Sequence, residues 1–194
     1  MAKDRISGKG ASKSDALHVA LLRGINVGGK NPLPMKELVA LFVEAGCSDV
    51  RNYIQSGNIV FRAPPSLAKS IPTVIPKLIA ARFGIRVPTV LRSAEELRAA
   101  VQSNPFHESE PNPKALHVAF LESAPSSESV ASLDPKRSPP DLFEVRGREI
   151  YLLCPNGIAR TKLTNDYFDS KLRTTSTLRN WNTVLKLVEM TAEG

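Results

Sequence analysis

Long apolar runs are absent from this sequence of 194 residues. No stretch approaches the roughly 18 apolar residues that a membrane-spanning helix needs, so we expect no membrane association. The basic segment 1–14 also lacks the apolar stretch of a secretory signal. We therefore expect this segment to be a disordered tail on a cytoplasmic protein.

Cysteines and aromatic residues are also scarce. The two cysteines, Cys47 and Cys154, are far apart and form no Cys-x-x-Cys or Cys/His pattern, which argues against a disulfide framework or a zinc site. We expect two reduced, buried thiols, no metal and no cofactor. Aromatic residues make up 6% of the chain and leave little surface for stacking nucleic-acid bases. The motifs of α/β-hydrolases, zinc proteases and dinucleotide-binding folds are missing too.

Positive charge is plentiful and unevenly placed. The net charge is +7, yet residues 31–145 balance twelve basic side chains against twelve acidic ones. Residues 146–186 carry eight bases against three acids, and residues 1–30 carry six against two. If the two ends of the chain meet, they form a basic surface that favours an anionic partner, although such charge also serves solubility.

The sequence divides into two related halves. LHVALL at 17–22 recurs as LHVAFL at 116–121, and both segments are typical of strands. After the first strand the pattern predicts a helix at 34–46 and a hairpin at 49–62. A second helix at 67–83, a strand at 85–92 and a third helix at 93–102 follow. We expect Pro72 and Pro76 to start or kink the second helix. This order is that of a ferredoxin-like unit.

The second half is predicted to repeat this order only in part. It contains a strand at 115–121, a helix near 126–133 and a hairpin, after which the pattern changes to a helical segment and a strong final helix over 177–190. We predict an α+β protein of two ferredoxin-like halves, with antiparallel sheets covered by helices. The predicted divisions are a tail at 1–14, a first half at 15–104, a connection at 105–113 and a second half at 114–194 that packs on the first.

The loop between the first strand and the first helix is rich in glycine. Gly24, Gly29 and Lys30 approach the P-loop pattern, in which backbone amides cradle phosphates. The following Asn31-Pro32 lacks the hydroxyl that binds magnesium and prevents a helix from starting there, so we expect no working P-loop. What remains is a flexible basic loop that can receive an anion, or a tight crossover that needs glycine.

Two later segments combine basic and polar residues. Segment 156–165 contains Lys162 and opens a predicted helix, so a pseudo-twofold relation of the halves would bring it near the glycine loop; alternatively it is a turn with solvated bases. Segment 174–183 contains Arg179, predicted in the first turn of the final helix, where the helix dipole disfavours a cation. A bound anion or a nearby carboxylate would relieve that conflict.

Four polar and apolar segments follow one another from about residue 17 to 190: LLRGINVGGKNPLPMKEL, YIQSGNIVF, PNGIARTKLTN and TLRNWNTVLKL. Together they resemble the domain-of-unknown-function family 1697. The resemblance implies an α+β fold built from ferredoxin-like halves and supplies no activity. The positions carried over from its motifs are Arg23, Asn26, Gly28, Gly29, Lys30, Gln55, Ser56, Asn58, Lys162, Arg179, Asn180 and Asn182.

The leading functional hypothesis is a binding module for an anionic ligand, either a phosphate-bearing small molecule or a nucleic acid. A small molecule is slightly favoured because the strands carry few aromatic residues. The expected ligand-binding residues are Arg23, Asn26, Gly28, Gly29, Lys30, Lys162, Arg179 and Asn180. This binding hypothesis predicts that the basic segments converge on one open cleft.

Two alternatives remain open. A structural or protein-interaction module predicts that the same side chains are buried and bonded internally, since buried amides can satisfy backbone groups of loops. An enzyme acting on a phosphorylated or carboxylated substrate requires a carboxylate, histidine or thiol at the cleft. The sequence identifies no catalytic residue, and Asp166 and Asp169 are more typical of solvated charge than of an acid/base pair.

Overall fold

The computed structural model of the protein describes residues 15–29 and 31–192, so the predicted tail at 1–14 and Lys30 lie outside the described residues. The described residues form eight strands and six α-helices. In chain order these are β1 (Ala16–Leu22), α1 (Met35–Glu44), β2 (Ser48–Tyr53), β3 (Asn58–Ala63), α2 (Pro65–Phe83), β4 (Thr89–Ser93), α3 (Ala94–Gln102), β5 (Leu116–Leu121), α4 (Ser127–Ala131), β6 (Leu142–Arg146), β7 (Glu149–Leu153), α5 (Asn165–Leu172), β8 (Ser176–Asn180) and α6 (Trp181–Ala192).

The first sheet confirms the predicted ferredoxin-like order. Its strands lie in the order β2-β3-β1-β4, and every neighbouring pair is antiparallel. Helix α3 then begins with a capping box, in which the Ser93 hydroxyl accepts a hydrogen bond from the Glu96 amide and the Glu96 carboxylate accepts one from the Ser93 amide. This cap sets the point at which the chain leaves the edge of the sheet.

The second sheet is a full copy of the first, so the prediction of a partial repeat is wrong. Its strands lie in the antiparallel order β6-β7-β5-β8, and α4, α5 and α6 occupy the chain positions of α1, α2 and α3. The predicted final helix over 177–190 begins only at Trp181, because the preceding residues pair with β5 as strand β8. The spacing of Leu178 and Trp181 fits a helical stripe, but pairing along the open edge of β5 overrides that local pattern.

Two further boundaries differ from the predictions. Helix α2 begins at Pro65 rather than near residue 67, and both Pro72 and Pro76 lie inside it instead of starting it. Proline suits the first turn of a helix, where its missing N–H would be unpaired anyway. The strand predicted at 85–92 is confined to Thr89–Ser93.

Both sheets share one central core. The β1 face that carries Ala20 and Leu22 packs against α1 and α2, and the corresponding face of β5 packs against α5. The opposite faces of both sheets meet in a common cluster with α3 and α6, where Trp181 is fully buried. Within the described ranges, no helix combines the length and the apolar character needed to cross a membrane.

Buried thiols and histidines occupy both halves. Cys47 and Cys154 are buried and free of disulfide bonds, as predicted, and burial raises the pKa of each thiol to about 11. His18 on β1 and His117 on β5 are buried at equivalent strand positions. Burial lowers the pKa of both imidazoles, and the Nδ1 atom of each has no hydrogen-bond partner among the described residues.

The two buried histidines should make the protein less stable in mild acid. Because their folded pKa values lie below the ordinary value of 6.5, only the unfolded state takes up these protons, and stability falls as the pH drops below 6.5. Urea unfolding at pH 7 and pH 5 measures how much free energy of unfolding is lost in acid. This loss should be smaller in the double variant His18→Leu/His117→Leu than in the original protein. Equal losses in both proteins would contradict this assignment.

Gly57 is required by the close approach of the β2–β3 turn to β1. Its φ is +73°, and a Cβ there would lie 2.8 Å from the Leu22 Cβ. Gly147 in the β6–β7 turn also has a positive φ of +59°, but a Cβ there would meet no described residue within 4 Å apart from its own chain neighbours. We expect Gly57→Ala to lower the free energy of unfolding by about 2 kcal/mol more than Gly147→Ala. Both substitutions strain the backbone at positive φ, but only Gly57→Ala also brings a Cβ into steric overlap with Leu22. Chemical denaturation of the two variants measures this difference.

Candidate ligand-binding site

Two buried arginines occupy equivalent places on the edge strands of the two sheets. Arg92 on β4 lies opposite Val19 of β1, and Arg179 on β8 lies opposite Val118 of β5. Both strands carry a Leu-Arg pair followed by a small polar residue. This similarity is the sequence signal for the second copy of the edge strand.

Each arginine reaches from its own half into the other. The Arg92 Nη2 donates to the carbonyl oxygens of Leu121 at 2.8 Å and Arg148 at 2.9 Å. The Arg179 Nη2 donates to the carbonyl oxygens of Leu22 at 2.6 Å and Gly57 at 3.3 Å. The acceptors lie at the end of the central strand and in the hairpin turn of the opposite sheet. The two guanidinium groups therefore tie the halves together reciprocally.

The two arginines differ in their counter-charge. The Arg92 Nε donates to the Glu149 carboxylate at 2.9 Å, whereas the Arg179 Nε donates to the neutral Asn58 side chain at 2.6 Å. Glu149 and Asn58 are the first residues of the equivalent strands β7 and β3. No described carboxylate forms an ion pair with Arg179, and burial lowers its pKa to about 10. Within the described ranges, Arg179 is therefore a buried cation held by neutral acceptors.

Arg179 lies on a strand, so its predicted place in the first turn of a helix is wrong. Its remaining N–H groups donate to the Thr177 hydroxyl and the Leu178 carbonyl oxygen, both at 2.8 Å. Because Arg179 is only 8% exposed and all its donors are used, it can attract a ligand through its charge but has no hydrogen bond left to offer.

A cavity of about 440 Å³ lies beside Arg179, between the two halves. Residues from the β1–α1 loop, the β2–β3 turn, β8 and the first turns of α5 and α6 contribute to it. The lining residues are Leu22, Arg23, Gly24, Val27, Ile54, Ser56, Asn165, Thr177, Leu178, Arg179, Asn180 and Thr183. Two arginines, and no carboxylate, histidine, cysteine or aromatic residue, are present among these described residues.

Arg23 forms the second cationic element of the lining. Its guanidinium makes ion pairs with Asp166 and Asp169 of α5, and the backbone amide of Arg23 donates to the Pro88 carbonyl oxygen at 2.9 Å. The spacing of the two aspartates does place them on one face, where they hold Arg23. The Asp166 side chain is 90% exposed, so its ion pair adds little to stability and is readily exchanged.

Asn180 joins the cavity to the start of α6. Its side-chain oxygen accepts a hydrogen bond from the Asn182 amide at 2.9 Å, which caps the helix and leaves the amide nitrogen of the side chain as a donor. Thr183 lies three residues after Asn180, as Glu96 lies three residues after Ser93 in the first half. The second copy thus has a hydroxyl where the first copy has a carboxylate.

Several predicted site residues do not reach this cavity. The Asn26 side chain donates to the carbonyl oxygens of Leu33 at 2.8 Å and Gln55 at 2.9 Å, and therefore fixes the loop. Gly28 and Gly29 are exposed and do not line the cavity. Lys162 is exposed beside Ser138 and does not line it either, so the structure does not bring it together with Arg23 and Arg179. Lys30 lies outside the described residues.

Nine of the twelve lining residues are not among the eight expected ligand-binding residues, and these nine include Val27, Ile54, Asn165 and Thr183. Ile54 has a φ of +49°, a region that costs a β-branched residue about 1–3 kcal/mol. No local pattern signals this conformation. The neighbouring Ser56-Gly57 turn is the sequence signal for this part of the cavity.

The equivalent cavity in the first half has a different character. Its volume is about 480 Å³, and its lining includes Lys69, Arg148, Glu96 and Glu122. Arg148 and Glu96 form an ion pair there, so the charges of this cavity are mixed. No cluster of three or more His, Cys, Asp or Glu suited to a metal ion occurs in the part of the chain that the structure describes.

Comparison with solved structures supports the fold. The conserved bacterial protein SP0830 from Streptococcus pneumoniae aligns with a TM-score of 0.70 and 24% identity, covering 91% of this chain and 99% of that protein. A putative glycine cleavage system transcriptional repressor aligns with a TM-score of only 0.26 and 13% identity, over 87% of this chain and 98% of that protein.

Sequence comparison identifies the family. No functionally curated protein matches the chain. The family described as proteins of unknown function, DUF1697, matches residues 16–151, which include β1 to β6, most of the hairpin partner β7, and the loops around Arg23 and Asn58. This match covers more than half of the sequence, and the chain belongs to the DUF1697 family.

Proposed function

We propose that this protein binds an anionic, phosphate-bearing small molecule in the cavity between β8 and the β1–α1 loop. The observation that carries the proposal is the buried Arg179 guanidinium, which has neutral hydrogen-bond acceptors but no carboxylate partner among the described residues. The equivalent Arg92 has Glu149 as its counter-charge. An anion in the cavity would supply Arg179 with a counter-charge, as Glu149 does for Arg92.

The electrostatic attraction is substantial because Arg179 is shielded from water. Two opposite unit charges 4 Å apart attract by about 4 kcal/mol at the effective dielectric constant typical near a protein surface. The donors of Arg179 are occupied, so hydrogen bonds to the anion would come from Asn180, Thr183, Ser56 and Arg23, which line the same cavity. Charge and hydrogen bonding are thus supplied by different residues.

Arg23 supports an anionic ligand despite its two aspartate partners. Arg23, Arg179, Asp166 and Asp169 together carry no net charge, but neither aspartate is part of the lining. Arg23 can turn from the exposed Asp166 to a ligand at little cost, since such exposed pairs contribute about 0–1 kcal/mol. Asp169 would continue to position the guanidinium.

The composition of the lining favours binding over catalysis and a small molecule over nucleic acid. No group suited to proton transfer is present among the described lining residues, and an acid/base mechanism needs such a group within hydrogen-bond reach. Stacking on aromatic side chains, which dominates recognition of single strands, has no counterpart there. A polar cavity that is lined by two arginines suits a compact anion.

The test is an isosteric change that adds one negative charge to the cavity. Asn180→Asp keeps the oxygen that caps α6 and places a carboxylate beside Arg179. We expect the affinity for inorganic phosphate, measured by titration calorimetry at constant ionic strength, to fall at least about tenfold. Asn112→Asp is the matched control, because Asn112 caps an exposed turn outside the cavity with the same side-chain oxygen.

The control should bind phosphate as the original protein does. Equal affinity in Asn180→Asp and Asn112→Asp would show that binding is not located in this cavity. Absence of phosphate binding by the original protein would reject the proposed function, and tight binding of short RNA instead would assign the basic surface to nucleic acid.

A further inference from the structure

We propose that the anionic ligand of this cavity also carries an apolar body, which binds between Val27 and Ile54. This inference rests on the proposed function and specifies the class of molecule that the site would take. The two side chains come from different loops, the β1–α1 loop and the β2–β3 turn, and both line the cavity that contains Arg23 and Arg179.

Val27 and Ile54 are unusually exposed for apolar residues. They are 59% and 48% exposed, and they are two of the five large hydrophobic side chains that are exposed within the described residues. Solitary exposed apolar side chains are common on proteins, but two from separate loops at one polar cavity form an apolar rim. A ligand that covers this rim would remove both side chains from water.

The backbone fixes this rim in place. Ile54 adopts a φ of +49°, where glycine or asparagine is unstrained and a β-branched residue is disfavoured. The Asn26 side chain donates to the Gln55 carbonyl oxygen at 2.9 Å, which joins the neighbour of Val27 to the neighbour of Ile54. The separation of the two apolar side chains is therefore set by a hydrogen bond between their loops.

The geometry points to a phosphate monoester, or a similar anion, of an apolar or aromatic group. The anionic end would face Arg179, Asn180 and Thr183, and the apolar end would contact Val27 and Ile54. The cavity volume of about 440 Å³ has room for such a molecule, since ligand pockets for small organic molecules begin at about 300 Å³. Inorganic phosphate would use only the polar part of the site.

The experiment compares phenyl phosphate with inorganic phosphate by titration calorimetry on the full chain. In the original protein we expect phenyl phosphate to bind at least about tenfold more tightly, because burial of a phenyl group adds an apolar contribution. In Ile54→Gly this ratio should fall towards one, because the apolar contact is lost while Arg23, Asn180 and Thr183 are retained. The same substitution removes the strained φ, so the melting temperature should not fall.

Val43→Ala is the matched control, because Val43 is 57% exposed on α1 and lies outside the cavity. It should keep the full preference for phenyl phosphate. Val27→Ser should lose the preference as Ile54→Gly does, which tests the rim from the other loop.

The outcomes separate this inference from the proposed function. Equal binding of the two probes by the original protein, or an unchanged preference in both Ile54→Gly and Val27→Ser, would overturn the apolar body while leaving an anion site. Failure of both probes to bind would overturn the proposed function and this inference together.

Discussion

The arrangement of the whole molecule depends on the reciprocal hydrogen bonds of Arg92 and Arg179. Each guanidinium comes from the edge strand of one sheet and satisfies carbonyl oxygens at the end of the central strand and in the hairpin turn of the other. The carbonyl oxygens of Gly57 and Arg148 also accept backbone hydrogen bonds from Leu22 and Leu121. The carbonyl oxygens of Leu22 and Leu121 depend on the arginines, and an unsatisfied buried acceptor costs about 1–3 kcal/mol. Together with the apolar core that both sheets share, the two arginines set the relative position of the halves, and with it the shape of the cavities beside them.

The two copies of the ferredoxin-like unit have kept this geometry and diverged in charge. Where the first half has Ser93 and Glu96 beside Arg92, the second has Asn180 and Thr183 beside Arg179. The carboxylate of Glu149 likewise has the amide of Asn58 as its equivalent. One interface site is thus neutralised by the protein itself, and the other leaves a buried cation with a polar cavity in front of it. The proposed anion site follows from this difference in charge between two halves that share the same strand order.

Much of the fold could be predicted from the sequence, because most elements have strong local signals. The repeated LHVALL and LHVAFL strands, the Ser93 cap and the glycine at the end of α2 each specify a boundary through local chemistry. Strand β8 could not be predicted in this way, since its residues also continue the apolar spacing of α6 and only pairing with β5 makes them a strand. The same error placed Arg179 on a helix.

Only some of the residues that meet at the candidate cavity could be predicted, for a similar reason. Arg23, Arg179 and Asn180 do meet at one cavity, whereas Asn26 bonds within its loop and Lys162 lies elsewhere. Burial and the identity of the acceptors decide whether a basic residue binds a ligand or holds the fold, and neither is visible in one sequence. The exposed Ile54 at positive φ is likewise a product of the turn and its contacts with β1.

The most direct measurement is a phosphate titration of the Asn58→Asp variant, with Asn112→Asp as the control that adds the same charge outside the cavity. The carboxylate introduced by Asn58→Asp would give Arg179 the internal counter-charge that Glu149 gives Arg92. If the uncompensated charge of Arg179 attracts the anion, phosphate affinity should fall at least about tenfold in Asn58→Asp and stay unchanged in Asn112→Asp. A folded Asn58→Asp protein that binds phosphate as tightly as the original would contradict the account.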